Sequence, residues 1–402
     1  MKTFLYKACK SLFPCFLITT AIGWTYAFSL FSQPAQECLG VSKTAVQFAF
    51  CLNIFFLGMG AATFGSLVER NIKRAAWLST ALLFSGLCLS GAAMRLKSVW
   101  LLYLGCGVLC GLAEGVGYVT PVKNLLLFFG RSRHKALVMA ISIVSFGLGS
   151  SICSYMFKYA FPHFGIENVF FFFAGAYLLS MSAGSLMIDK PVFAKNALKK
   201  QARKSYSILK YLKDSYFLQC WTFMFLNIAM GLVIIGQCAG MLKSGGLDAS
   251  AVVFVMMLCG LANGGGRLLF PAVSDYMGRR ADSWLCALVL EILMLSLVLF
   301  DPWFAPLAFI VINACYGCGF AMAPAVLLER YGSSELSFCH GLLLSAWGFA
   351  SLFAFGVSTF VLSTLKLGQS ALFATLAAVY ALNFFNTFVI RIRGKAAAKE
   401  TK

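Results

Sequence analysis

Runs of about twenty apolar residues recur along this chain from one end to the other, and nothing else in the sequence constrains its fold as strongly. At 1.5 Å of rise per residue, twenty residues of α-helix cross the roughly 30 Å of hydrocarbon in a bilayer. Inside that layer every backbone polar group needs an internal partner, so only helices and closed barrels can span it. The runs do not alternate apolar and polar residues at period two, which excludes a spanning β-barrel. Spans are expected at 12–32, 45–67, 75–93, 99–128, 136–160, 169–188, 217–241, 250–272, 283–300, 304–327, 338–362 and 370–390. The chain therefore reads as an all-α integral membrane protein with twelve transmembrane helices, of a bacterial inner membrane or a plasma membrane. Its charged fraction of 12% agrees, against roughly a quarter in soluble domains.

A net charge of +19 invites a nucleic-acid reading, which the positions of the charges exclude. With the N-terminus placed inside, 25 of the 33 Lys and Arg fall in inner segments and 6 in outer ones, and Lys123 and Arg267 fall within spans. That bias is the positive-inside signature, with both termini cytoplasmic. Anionic lipids of the inner leaflet are the expected partners of the basic loops. The opening MKTFLYKACKSLFPCFLITTAIGWTYA has lysines before an apolar run, as a signal peptide does. The run continues past any small-residue cleavage site, so it is read as the first span. The 15 cysteines lie almost all within spans. Cys315 and Cys318 form a C-x-x-C inside an apolar helix with no second pair, a pattern expected to pack rather than bind metal. No cofactor and no metal are expected.

The apolar pattern breaks at DKPVFAKNALKKQARKSYSILKYLKD, a basic cytoplasmic linker expected to lie partly as an amphipathic helix on the inner leaflet. This divides the chain into a six-span half at 1–188, a linker at 189–216 and a second six-span half with a short tail at 217–402. The halves echo each other. GSLVERNIKR (65–74) follows span 2 and PAVSDYMGRR (271–280) follows span 8, with Glu69 and Asp275 206 positions apart. G-V-G-Y at 115–118 and G-C-G-F at 317–320 are 202 apart, and each precedes a proline, Pro121 or Pro324. Two echoes at nearly one offset point to a duplicated six-helix unit.

Twelve spans, a basic central loop and parallel halves resemble the major facilitator superfamily. The resemblance implies a substrate site at mid-membrane between the halves. The two loop segments are similar to the superfamily's G-x-L-x-D-R-x-G-R-[KR] signature, which implies gating roles for Glu69, Arg70, Lys73, Arg74, Asp275, Arg279 and Arg280. The first copy departs with Glu69 and Ile72, the second with Pro271. Along nearly the whole chain, TYAFSLF (25–31), YVTPV (118–122), SFGLGS (145–150), GLVIIGQ (231–237), NGGGRLLF (263–270), CYGCGFAMAP (315–324) and GLLLSAWGFA (341–350) resemble the oxalate/formate antiporter family. That family moves small organic carboxylates, commonly by exchange.

A charge at a helix centre costs roughly 2.5–3.5 kcal/mol on insertion scales, so one that persists usually faces a cavity or a partner. Arg267 lies eight residues before Asp275, about 12 Å into the helix. Its rigid fork of donors matches a carboxylate, and the resemblance places the family's helix-8 substrate arginine there. A structural ion pair is the competing reading. Members that handle oxalate add a lysine on helix 11, but the matching residue here is Trp347, which leaves one fixed positive charge. A monocarboxylate, or a carboxylate with one apolar end, is therefore the expected substrate.

Tyr26, Tyr118, Gln237, Tyr316 and Phe320 complete the expected substrate contacts. Their spans, 1, 4, 7 and 10, line the cavity by resemblance. Lys123 is a candidate second anion contact, or a side chain reaching the inner headgroups. Glu114 lies one turn from Tyr118 on the same face and is a candidate proton carrier. Glu291 is expected on a peripheral helix and is given no transport role.

These features describe a secondary transporter working by alternating access as an antiporter or proton-linked symporter, one chain sufficing. Its expected partners are a small carboxylate, a proton or counter-transported anion, and lipid. A drug exporter would need an acidic cavity free of arginine. An enzyme would need a nucleophile–base or metal constellation, and the three histidines have no spaced partners. A nutrient sensor would be expected to carry a long extra cytoplasmic domain, whereas about a dozen residues follow the last span.

Overall fold

The computed structural model describes residues 6–64, 67–68, 71–129, 135–189, 208–277 and 280–400, except the side chains at 126, 135–143, 275–277, 280, 324, 328, 332–338, 363 and 393–400. The fold is all-α. Eleven helical stretches among the described residues are long and apolar enough to cross a membrane. One of them, Val144–Met187, has 44 residues and would be about 66 Å long as a single helix, so it holds two spans. The break is at Gly165, whose φ of 64° and ψ of 173° interrupt the helix. Only glycine takes that conformation without strain.

The twelve spans are α1 (Ala8–Leu39), α2 (Lys43–Thr63), α3 (Ile72–Arg95), α4 (Val99–Phe129), α5 (135–164), α6 (166–187), α7 (Ser215–Ser244), α8 (Ala249–Met277), α9 (Arg280–Phe300), α10 (Pro302–Tyr331), α11 (Cys339–Leu362) and α12 (Gln369–Glu400). Most span ends lie within a few residues of those expected. The exceptions are α1 and α12, which run seven and ten residues past their expected ends, and the helix of α10, which continues to Leu343 through the segment expected to be a loop before span 11. Of the basic linker, the described part is a short helix, Ile208–Leu212, and the Asp214 cap of α7, whose side chain accepts from the Tyr216 amide.

Internal contacts group the chain into two units, Met1–Ser205 and Tyr206–Lys402. In the first, α2 and α4 meet backbone to backbone. A Cβ added to Gly60 would come within 3.0 Å of the Leu112 carbonyl, and one on Gly115 would run into the Leu57 carbonyl and the Ala61 amide. In the second, α8 and α10 meet the same way. A Cβ on Gly266 would strike the Ala314 carbonyl, and one on Gly317 the Asn263 carbonyl, with Arg267 Cγ at 3.1 Å. Small residues at such crossings let helices close without a side chain between them. The pairs correspond: 206 positions relate Gly60 to Gly266, and 202 relate Leu112 to Ala314 and Gly115 to Gly317. One packing joint is thus built twice, and Arg267 stands where its copy has Ala61.

Two departures from α-geometry lie deep inside spans. α1 tightens into a 3₁₀ turn at Gly23–Ala27, and α4 widens into a π turn at Tyr103–Cys110. Gly23 permits the first to press against α5, since a Cβ there would meet the Phe146 carbonyl and the Gly149 Cα.

Candidate functional site

In the C-terminal unit the side chains converge on Arg267, which is 0% exposed. Its Nε donates to Asn263 Oδ1 at 3.0 Å, one turn earlier on α8. Its guanidinium carbon lies 5.4 Å from the ring centroid of Phe320 on α10, within cation–π range. The missing side chain at Gly317 lets the arginine stem cross α10. Phe320 in turn contacts Trp347 of α11 at 4.5 Å and Tyr316 at 5.2 Å. The Tyr316 ring rests on Gly231 of α7, where a Cβ would collide with it. Arg267, Tyr316, Phe320 and Trp347 are therefore one cluster, a buried cation with an aromatic wall. Gln237 is buried on α7, six residues beyond Gly231 and about 9 Å along the axis.

The N-terminal unit holds two groupings. Tyr26, in the 3₁₀ turn, and Tyr118, on α4, both pack edge-on against Phe146 of α5, at 5.2 and 5.5 Å. Near them in sequence, Glu114 is fully buried. Asn53 of α2 donates Nδ2 to Glu114 Oε1 at 3.2 Å and to the Cys106 carbonyl, inside the π turn, at 2.9 Å. Thr25 donates to Asn53 Oδ1 at 2.6 Å. The Trp24 indole lies beside the carboxyl without forming a well-directed hydrogen bond. π turns of this kind are frequent at functional sites.

Comparison with known proteins decides the family. The sequence model of the Major Facilitator Superfamily matches residues 12–323. The chain belongs to the Major Facilitator Superfamily. It is an integral membrane transporter of that family. It is 28% identical over 343 residues to the Uncharacterized MFS-type transporter YhjX of Escherichia coli (strain K12), covering 83% of each chain. It is 24% identical over 391 residues to the Oxalate:formate antiporter of Oxalobacter formigenes, covering 94% of this chain and 90% of that one.

Of the residues this facilitator was expected to use in gating, Glu69, Arg70 and Arg279 lie outside the described residues, as do the side chains of Asp275 and Arg280. Lys73 and Arg74 are exposed at the start of α3, where Asn71 caps the helix by accepting from the Arg74 amide at 3.1 Å. Lys123 is half-buried on α4. Three residues with evident roles were not read from the sequence: Asn263, Asn53 and Phe146. Asn263 stood in plain view, since a polar side chain four residues before a buried arginine shares its helix face. Asn53 is 61 positions from Glu114, a pairing that no local pattern reveals. Glu291, on a helix expected to be peripheral and given no transport role, is 0% exposed and bonded to Asn227 of α7. An almost wholly apolar span does not declare which face points inward.

Proposed function

We propose that this transporter moves a small organic carboxylate, in particular a monocarboxylate, by alternating access, with the Arg267 guanidinium as the anion-binding group. It would act as an antiporter or a proton-linked symporter. One observation carries the reading. The joint of α8 and α10 also exists as that of α2 and α4, where Ala61 replaces Arg267, so the packing does not require a buried cation. A costly charge that the scaffold can do without has another use.

The rest of the cluster supports the substrate class. Phe320 and Trp347 offer an apolar surface beside a single charge, which suits one carboxylate attached to an apolar body. The likeness to an oxalate:formate antiporter agrees with a small anion. An anion held by Arg267 would be enclosed together with it, and a charge pair costs less to enclose than the anion alone. Substrate would thereby favour the closing conformation. Tyr316 and Gln237 are the further candidate contacts of this half, Tyr26 and Tyr118 those of the other. Lys123 is a candidate second anion contact. Glu114 is the candidate proton carrier, buried and held by an amide donor.

The test is a thermal-shift panel of formate, acetate, lactate, pyruvate, benzoate and oxalate on the purified protein, with uptake into proteoliposomes for whatever stabilises it. A monocarboxylate should stabilise wild type most and Arg267→Ala least, the affinity falling about 10- to 100-fold for loss of a charge-assisted pair. Equal stabilisation of both proteins would refute the site. Oxalate uptake as fast as that of any monocarboxylate would refute the substrate class.

A further inference from the structure

The C-terminal unit buries a second ionisable side chain that the anion site does not use. Glu291 lies in the middle of α9. Asn227 of α7 directs Nδ2 at both carboxyl oxygens, 3.3 Å from Oε1 and 3.5 Å from Oε2. The Tyr380 hydroxyl of α12 lies beside the same carboxyl without forming a well-directed hydrogen bond. On its other side, Asn227 reaches α10: its buried Oδ1 accepts no hydrogen bond and would stand 2.5 Å from a Cβ on Gly319. Gly319 immediately precedes Phe320, the ring on which Arg267 rests. Trp284, also on α9, donates Nε1 to the Gly319 carbonyl at 3.3 Å. A single amide thus sits between a buried acid and the segment of α10 that forms the aromatic wall.

We propose that Glu291, with Asn227 and Tyr380, is a proton-binding site inside the C-terminal half, and that its occupancy sets how α10 packs at the Arg267 cluster. The protonated carboxyl is both a donor and an acceptor, whereas the carboxylate only accepts and pulls harder on donors in a low-dielectric interior. The Asn227 contacts are long for N–H···O bonds and have room to shorten. Loss of the proton draws the amide toward Glu291 and away from Gly319, and the Tyr380 hydroxyl is the second donor at hand. One proton passes to solvent and no other bond changes.

Among the described residues, the other titratable groups beside this carboxyl are Cys315 and Cys318 on α10. Cys286 lies five residues earlier on α9. The described charged side chain of α8 is Arg267, against Phe320. The Arg391–Asp282 pair joins α12 to α9 nine residues before Glu291, about 14 Å along the helix. The proton site stands whatever Arg267 binds; only its effect on carboxylate rests on the function proposed above.

Infrared difference titration of the full chain in lipid vesicles tests the site with the proton itself as ligand. A protonated-carboxyl band that titrates with pH should be lost in Glu291→Gln and kept in Glu114→Gln, and its midpoint should move in Tyr380→Phe. If the band and its titration are unchanged in Glu291→Gln, Glu291 binds no exchangeable proton and the proposal is overturned. The link to the cluster is read from tryptophan emission. A pH-dependent component assigned to Trp347 by its loss in Trp347→Phe should disappear in Glu291→Gln; its persistence there, or its absence from wild type, overturns the link. Tyr380→Phe serves as the second variant if Glu291→Gln does not fold. Failure of carboxylates to distinguish Arg267→Ala would remove the anion site while leaving the infrared result intact, so the two ideas fail separately.

Discussion

The two halves share a scaffold and differ in what they bury in it. Each crosses its second and fourth helices through a glycine against a backbone carbonyl, Gly60 on Leu112 and Gly266 on Ala314. Each encloses a glutamate bonded to an asparagine from another helix, with an aromatic donor nearby: Glu114 with Asn53 and Trp24, Glu291 with Asn227 and Tyr380. The acids are not copies of one another. At the offset of 202 Glu114 falls on Tyr316, and at 206 Arg267 falls on Ala61 and Asn263 on Leu57. The duplicated unit accounts for the helix joints, and the ionisable groups were placed on it separately. The comparison also shows which residues the joint can do without: Asn263 and Arg267 both have plain apolar counterparts.

Moving the cation to the other half should have the largest effect. Ala61→Arg places a guanidinium where Leu57 offers no acceptor, and it should destabilise the protein by about 2.5–3.5 kcal/mol, seen as a fall in thermal midpoint. Leu57→Asn added to it should recover part of that loss. If Ala61→Arg costs nothing, the C-terminal joint is not specially adapted to hold its arginine.

How far the sequence anticipates this comparison depends on the range of each interaction. The spans were legible because hydrophobic thickness fixes helix length, and the Gly165 break lies in the gap expected between spans 5 and 6. Arg267 stood out because a charge in an apolar run is costly, and an anion site and a structural ion pair were both open readings of it. The repeat was legible as two offsets, but not that Gly60 and Gly266 perform one task, because close approach is visible only in three dimensions. That Asn227 is the partner of Glu291 was not legible for the same reason. Its span is apolar on every side, so the mean face carries no signal.

The next largest effect should come from giving the C-terminal joint its counterpart's other residue. Asn263→Leu removes the acceptor from Arg267 Nε, a bond to a charged group worth about 1.5–3 kcal/mol. Carboxylate affinity should fall roughly tenfold or more as the fork loses its fixed plane. Asn263→Gln, which can still accept, should recover part of it. An unchanged affinity in Asn263→Leu would mean that other contacts hold the guanidinium.

Gly60→Ala and Gly266→Ala then compare the joints as joints. Each adds a methyl against a backbone carbonyl, and overpacking of this kind costs about 1–3 kcal/mol. Gly266→Ala should lower the thermal midpoint more, because its Cβ would clash with the Ala314 carbonyl whereas that of Gly60→Ala would stand 3.0 Å from the Leu112 carbonyl, and only Gly266→Ala should weaken carboxylate binding, since only its joint carries the arginine. Equal loss of binding in both would mean that the two crossings serve the site alike.

The smallest effect tests selectivity within the cluster. Trp347→Lys exchanges an apolar wall for a second positive charge near Phe320 and Arg267. A dicarboxylate presents two anionic ends and gains a partner for its second, whereas a monocarboxylate with an apolar body loses the surface it rests on. The ratio of oxalate to monocarboxylate affinity should rise about tenfold, equivalent to about 1.4 kcal/mol, with competition in the thermal-shift panel as the readout. The lysine bears a cost in a buried setting, so total affinity falls even as preference turns, and the ratio is the quantity to follow. A fall in both affinities by the same factor would show that Trp347 supports the fold of the cluster without choosing its anion.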